Sequence, residues 1–491
     1  MDEASRKYKK TVLDTKSKTF CGAKWYNATV WLGNGATTSC HHPPPHRIDP
    51  EEVKRDPSAL HNTTFKKLVR KEMQEGKQTR ECEYCWKIEN LDKNLVSDRI
   101  YKSQIYSDEK LQEAFNSPWR QSFNPINLEI AFDSNCNFAC TYCNAGFSTT
   151  WAHDIKKNGP YQDLNSEGWA AFATEGKWSM PYGVKNKDNP YIEAFWKWWE
   201  SDLQYSLNEL RITGGEATVS NDFWKLMDWF EKNKDCKVNL AVNTNLGIKK
   251  NKLDRLIESS KFIKNLHIYT SNESFGIQSE YIRDGLIWDE WLRNTERLLV
   301  EGDVASFHIM LTINALSLGS MDKFHETVIE LKHKTGKNIH LSYNILRFPS
   351  FQSITTLPTH IRQERADHLQ QWTNDNGKDL NKSEIDGLDR TISYTRNIEE
   401  GHSVQEVSDL QTRQYDFFNF YSQYDVRRNK LFEKAFSDWP DIIDWYLSLA
   451  DNNSKHHVAE TVEANALDWG EDIFNEVING AVSNGLINGP T

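Results

Sequence analysis

The chain holds no run approaching 18 apolar residues, and its first residues are polar, with no apolar core of the kind an export signal needs. A soluble, cytoplasmic protein is therefore expected. Positive charge is short as well. Fifty-nine Lys and Arg stand against 70 Asp and Glu, a net charge of −11. Gripping an extended phosphate backbone needs the opposite balance, so nucleic acid is not an expected partner, although a local basic groove remains open. Cysteine is scarce, with eight in 491 residues, and seven of these fall into two groups with metal-like spacing. That excludes a disulfide framework and points to a reducing compartment. What is present is length enough for two or three domains and 18 Trp, enough to build a substantial core.

The densest group lies in Asp133-Ser-Asn-Cys-Asn-Phe-Ala-Cys-Thr-Tyr-Cys-Asn-Ala-Gly146, just after the apolar run Leu128-Glu-Ile-Ala-Phe132. Cys136, Cys140 and Cys143 stand in C-x3-C-x2-C spacing. Chance placement of eight cysteines would give such a pattern in roughly 0.002 of shuffled chains. Three thiolates hold three irons of a [4Fe–4S] cluster, and the missing fourth leaves the open metal position that catalysis requires. A structural zinc with a distant fourth ligand is the alternative. The spacing C-x3-C-x-aromatic-C, with Tyr142 as the aromatic, resembles the signature of radical SAM enzymes. That resemblance implies S-adenosylmethionine bound to the open iron through its amino and carboxylate groups. It also implies cleavage to a 5′-deoxyadenosyl radical by one electron from a donor such as flavodoxin or ferredoxin. The cofactor owns this chemistry, and the protein positions and shields it.

Residues 1–19 carry Arg6, Lys7, Lys9, Lys10, Lys16 and Lys18 and read as a flexible leader. From 19 to 42, alternating Trp25, Asn27, Thr29 and Trp31 lead through Gly33-Asn-Gly35 into a second strand, the pattern of a hairpin. Cys21 and Cys40 straddle it, and Cys82-Glu-Tyr-Cys85 follows. This spacing resembles the opening half of the SPASM module, closer to its shortened relative, the twitch domain, although here it precedes the barrel instead of following it. The resemblance implies a second, auxiliary [4Fe–4S] cluster in residues 20–120. A zinc ribbon would use the same four cysteines, with His41 or His42 as substitutes.

From 121 to 358, short apolar strands near 127–133, 208–213, 237–243, 265–270, 306–314 and 338–345 alternate with helical patterns, as in α/β folds with a parallel sheet. Six such units suit the partial (β/α)6 barrel that the resemblance implies, with sites at the C-terminal strand ends. There Gly214-Gly215-Glu216 resembles the family's Gly-Gly-Glu, which implies backbone close to the methionine and a carboxylate on its ammonium. Ser271 and Glu273 are candidates for the ribose, Arg283 for the SAM carboxylate, and Thr312 and Asn314 for the adenine side. The competing readings are an ordinary polar loop for Ser271 and Glu273, a surface arginine at a helix start for Arg283, and strand-end hydrogen bonding for Thr312 and Asn314. Segment 177–190 reads as a lid. Ile192, Phe195, Trp196, Trp199 and Leu203 share one helix face, which favours core packing. Cys236 stands alone as a core or free thiol. Residues 359–491 read as a helical region ending in an acidic tail.

Together these features describe a radical SAM enzyme that removes a hydrogen atom from a peptide or protein. A small molecule or nucleotide is the second substrate reading. A non-enzymatic iron–sulfur electron carrier or scaffold is the rival, and the Gly-Gly-Glu carboxylate argues against it. The hairpin edge carrying Trp25 and Trp31 is a further candidate, for pairing with an extended peptide.

Overall fold

The computed structural model describes residues 3–91, 95–166, 172, 188–397 and 409–456. Most of segment 177–190 and the acidic tail beyond 456 lie outside the described residues. Among the described residues, no helix is long and apolar enough to cross a membrane.

The six expected strands form as β4 (Asn127–Ala131), β6 (Glu209–Thr213), β7 (Asn239–Thr244), β8 (Leu266–Ser271), β10 (Ser306–Ile313) and β11 (Ile339–Ile345). They lie side by side in chain order and are all parallel. Right-handed crossovers that always advance in one direction put every connecting helix on one face of the sheet. Strand alternation matches this. Leu128, Ile130, Leu210, Ile212, Leu240, Val242, Ile268 and Ile309 point to that face, in one core with Phe223, Leu226, Leu253, Trp291, Leu298 and Phe324 from the helices. The opposite face carries Glu129, Arg211, Asn243, Tyr269, Ser271, His308 and His340, all but Glu129 and Arg211 of them half-exposed. Parallel sheets are normally apolar on both faces, so this polar inner face is unusual.

The hairpin also forms, from β1 (Asn27–Trp31) and β2 (Ala36–Thr38), with β3 (His46–Arg47) beyond it. It joins the large sheet, because β1 pairs in parallel with β4 from Asn27↔Asn127 to Trp31↔Ala131. The result is a mixed α/β fold with one nine-stranded, mostly parallel sheet. This corrects the expected peptide-pairing edge. β1 is hydrogen-bonded on both sides, Trp31 is buried, and Trp25 sits in the helical turn Ala23–Tyr26 inside a second core. Residues 3–13, expected to be frayed, are helical. Leu13 fills that second core, and the Tyr8 hydroxyl donates to the Ser103 carbonyl at 3.1 Å. The buried face of Pro190–Trp198 and Trp199–Leu203 packs into the main core as the periodicity predicts.

Glu129, on the inner face, is 3% exposed, and neither of its oxygens has a hydrogen-bond partner. Burial pushes its pKa up to about 8. The unfolded chain loses that proton near ~4.3. Between those values the folded state holds the extra proton, so stability falls as pH rises through the window. Glu129→Gln is expected to flatten this loss and to be more stable than wild type at pH 8.5 by about 1–3 kcal/mol. Melting curves at several pH values check it, and identical slopes for the two proteins would contradict it.

Candidate active site

Sites in parallel sheets collect at the carboxyl ends of strands, and the cysteine loop leaves β4 there. Its neighbours hold it by backbone. Glu216 N–H donates to the Asn135 carbonyl at 2.6 Å, and the Asn137 side-chain amide donates to the Gly247 carbonyl at 2.7 Å. Ala139–Cys140, named β5, pairs antiparallel with Arg283–Asp284, named β9. The Trp151 indole donates to the Cys140 carbonyl at 2.9 Å. The loop is thus clamped from the segments that follow β6, β7 and β8.

The two glycines serve this clamp. Gly214 has φ +128°, and a Cβ there would lie 2.7 Å from the Asp133 carbonyl oxygen. One on Gly215 would lie 2.4 Å from that of Asn135. Backbone meets backbone at both positions, so no side chain can give way. The sequence reading gave these glycines to the methionine alone; the structure seats the cysteine loop itself on them.

One cavity at these strand ends is lined by Cys136, Cys140, Cys143, Gly214, Gly215 and Glu216, with Ser271, Arg283 and Thr312 on its other walls. Burial pushes Cys140 up to about 11, opposed first by the Arg283 guanidinium, and Cys143 up to about 12. Glu216 is 2% exposed. One oxygen accepts from Thr218 N–H at 3.1 Å and from the Thr218 and Thr244 hydroxyls at 2.6 and 2.7 Å. The other accepts from Asn245 N–H at 2.6 Å. Burial raises its pKa, and these donors pull it back. No Lys, Arg or His forms an ion pair with it among the described residues. A buried carboxylate fixed by neutral donors and facing three thiols suits a ligand that brings its own cation.

Three candidates lie elsewhere. Glu273 is fully buried. One oxygen accepts from the Tyr142 hydroxyl at 2.9 Å, and the other pairs with Arg283. Its carboxylate is committed to the protein and not to a ribose. Tyr142 supports that pair from behind the cavity. Asn314 caps its own turn, accepting from Leu316 N–H at 3.0 Å and Ser317 N–H at 3.1 Å while its amide donates to the Thr312 carbonyl at 2.9 Å. Such local capping outcompetes a distant ligand. Thr244 and Asn245, at the end of β7, were missed by sequence reasoning. The strand-end rule applied to β6, β8 and β10 would have found them.

The second group of cysteines also converges. Cys21, Cys40, Cys82 and Cys85 line one cavity together with Lys24 and Arg99. Burial pushes the Cys82 thiol up to about 11 against the pull of Lys24, which is paired with Glu81. Among the described residues, the one trio of possible metal-ligating atoms mutually within 4.8 Å is His41, His42 and Asp98. No three thiols come that close. A tetrahedral zinc with bonds of about 2.3 Å would hold its sulfurs roughly 3.8 Å apart. Among the described residues, neither cysteine group therefore presents three thiols at the spacing of a single zinc ion.

No family model matches this chain, and no curated protein matches it. Among solved structures it is similar to anSMEcpe with bound AdoMet and Cp18Cys peptide. Identity there is 15% over 54% of this chain and 62% of that one, with a TM-score of 0.32. It is also similar to SuiB of Streptococcus suis bound to S-adenosylmethionine, at 14% identity over 65% and 71% of the two chains and a TM-score of 0.25. SuiB bound to precursor peptide SuiA matches at 13% identity over 70% and 78%, with a TM-score of 0.25. The match spans less than two thirds of the anSMEcpe chain, and likeness this loose carries no activity across.

Proposed function

We propose that this protein is a radical SAM enzyme in which Cys136, Cys140 and Cys143 hold a [4Fe–4S] cluster with one open iron. Glu216 takes the ammonium of S-adenosylmethionine. The observation that carries this reading is the meeting, on one cavity, of three thiols and a buried carboxylate with no cationic partner among the described residues. When bound, these cofactors supply one-electron cleavage of the sulfonium and a 5′-deoxyadenosyl radical that removes a hydrogen atom from substrate. The chain's own residues bind and shield. Thr218, Thr244 and Asn245 keep the Glu216 carboxylate aimed, Gly214 and Gly215 seat the cysteine loop, and Phe138, Phe147 and Met310 form the apolar part of the wall that excludes water.

The proposed substrate is a hydrophilic peptide or protein, and the electron donor a low-potential carrier such as flavodoxin or ferredoxin. Support for the peptide comes from the twitch-like cysteine spacing and from the polar inner face that runs on from the cavity. Of the carboxyl and guanidinium groups on that face, Glu129 is held protonated by burial and Arg211 pairs with Glu209 at 3.2 Å, a poor match for a polyanion. The basic run 427–430 is no phosphate patch either. Arg427 and Arg428 reach Asp154, and Lys430 pairs with Asp284 at 2.8 Å.

Cys21, Cys40, Cys82 and Cys85 would saturate a second, auxiliary cluster. A triple Cys136/Cys140/Cys143→Ala variant is expected to keep about half the iron and sulfide of the reconstituted wild type. One zinc and no sulfide in that variant would make the N-terminal site a zinc ribbon.

A further inference from the structure

Three buried side chains, Arg283 on one wall of the cavity and Glu273 and Tyr142 behind it, have no part in the binding scheme above. Arg283 is 3% exposed, Glu273 0% and Tyr142 2%. Cys140 and Arg283 are register partners in the β5–β9 ladder, so backbone pairing places guanidinium beside thiol. Arg283 Nη1 donates to Cys140 Sγ at 3.8 Å. Arg283 Nε donates to Glu273 Oε2 at 3.0 Å, and Nη2 reaches the same oxygen. Glu273 Oε1 accepts from the Tyr142 hydroxyl at 2.9 Å, and the Arg283 guanidinium lies 5.5 Å from the centre of the Tyr142 ring.

A buried ion pair is poor value for stability, since desolvation consumes most of the attraction. Its orientation gives it a different use. The cationic end faces one cysteine of the loop, and the anionic end is tied back to Tyr142. One-electron reduction adds one negative charge to a [4Fe–4S] cluster, and hydrogen bonds to its sulfurs together with nearby charge set the potential. A fixed donor at one thiolate stabilises the reduced form more than the oxidised form.

We propose that Arg283, aimed by Glu273 and Tyr142, is a positioning residue that hydrogen-bonds the Cys140 thiolate and raises the reduction potential of the cluster. This rests on the radical SAM reading. The step concerned is the gain of one electron, from a low-potential carrier protein or from dithionite, by the oxidised cluster; no bond breaks and no proton moves.

The test is an EPR-monitored redox titration of reconstituted protein without SAM, with iron and sulfide counted in each sample. The neutral double variant Arg283→Gln/Glu273→Gln removes the pair without stranding a charge. Its cluster is expected to titrate at a more negative potential than wild type, with Arg283→Lys in between. Tyr142→Phe loosens only the aim and should shift the potential less, in the same direction. It also keeps the test decisive if the double variant takes up no cluster. A wild-type potential in fully loaded variants would overturn the inference while leaving the radical SAM reading intact. A wild-type protein that takes up no cluster would sink both.

Discussion

Cys140→Ala is expected to fold, to lose most of the cluster of the 136–143 loop, and to form no 5′-deoxyadenosine above background. Cys140 is held by backbone, through the β5–β9 ladder and the bond from the Trp151 indole to its carbonyl. Alanine keeps both, so the melting temperature should move little, with a cost of roughly 1 kcal/mol. The chemistry has no such reserve. Removing one of three thiolates leaves two, too few to hold three irons and leave one defined open position. Circular dichroism and chromatography of the reaction mixture check the two halves of the expectation separately. A stable variant that still cleaves SAM at the wild-type rate would show that the loop is not the cluster site.

The second large effect is expected from Glu216→Gln, which should weaken SAM binding about 10- to 150-fold, the worth of a hydrogen bond to a charged group. The iron content should stay unchanged, because Glu216 is no ligand. Both carboxylate oxygens accept from the protein, one from Thr218 and Thr244 and the other from Asn245 N–H. A glutamine amide must turn its NH2 toward one of these donors, so the side chain loses its aim as well as its charge. Equilibrium binding of SAM to the oxidised, loaded protein measures the effect. An unchanged dissociation constant would reduce Gly214-Gly215-Glu216 to the seat of the cysteine loop.

Local patterns carried the sequence reading a long way. Leu128-Glu-Ile-Ala and Leu210-Arg-Ile-Thr alternate as strands because one face meets helices and the other the inner polar surface. The cysteine motif lies within eight residues, so its spacing alone suggests a common ligand. Contacts made across long stretches of chain were not legible. The pairing of β1 with β4 joins residues 100 positions apart, which made the hairpin look like a separate module with a free edge. The packing of residues 3–13 depends on Ser103 and a second core assembled from distant segments. Glu273 looked available for a ligand because nothing near it in sequence reveals that Arg283 and Tyr142 will claim its carboxylate. Asn314 was misread for a nearer reason: its three partners lie within three residues, and a turn at a strand end looks the same in sequence whether or not it touches a ligand.

The most direct test of the central claim uses the unaltered chain. Reconstituted anaerobically with iron and sulfide, reduced with dithionite and given SAM, it is predicted to release 5′-deoxyadenosine and methionine in equal amounts. Cluster uptake with SAM left intact after prolonged reduction would contradict the account and favour an electron-carrying or scaffold protein.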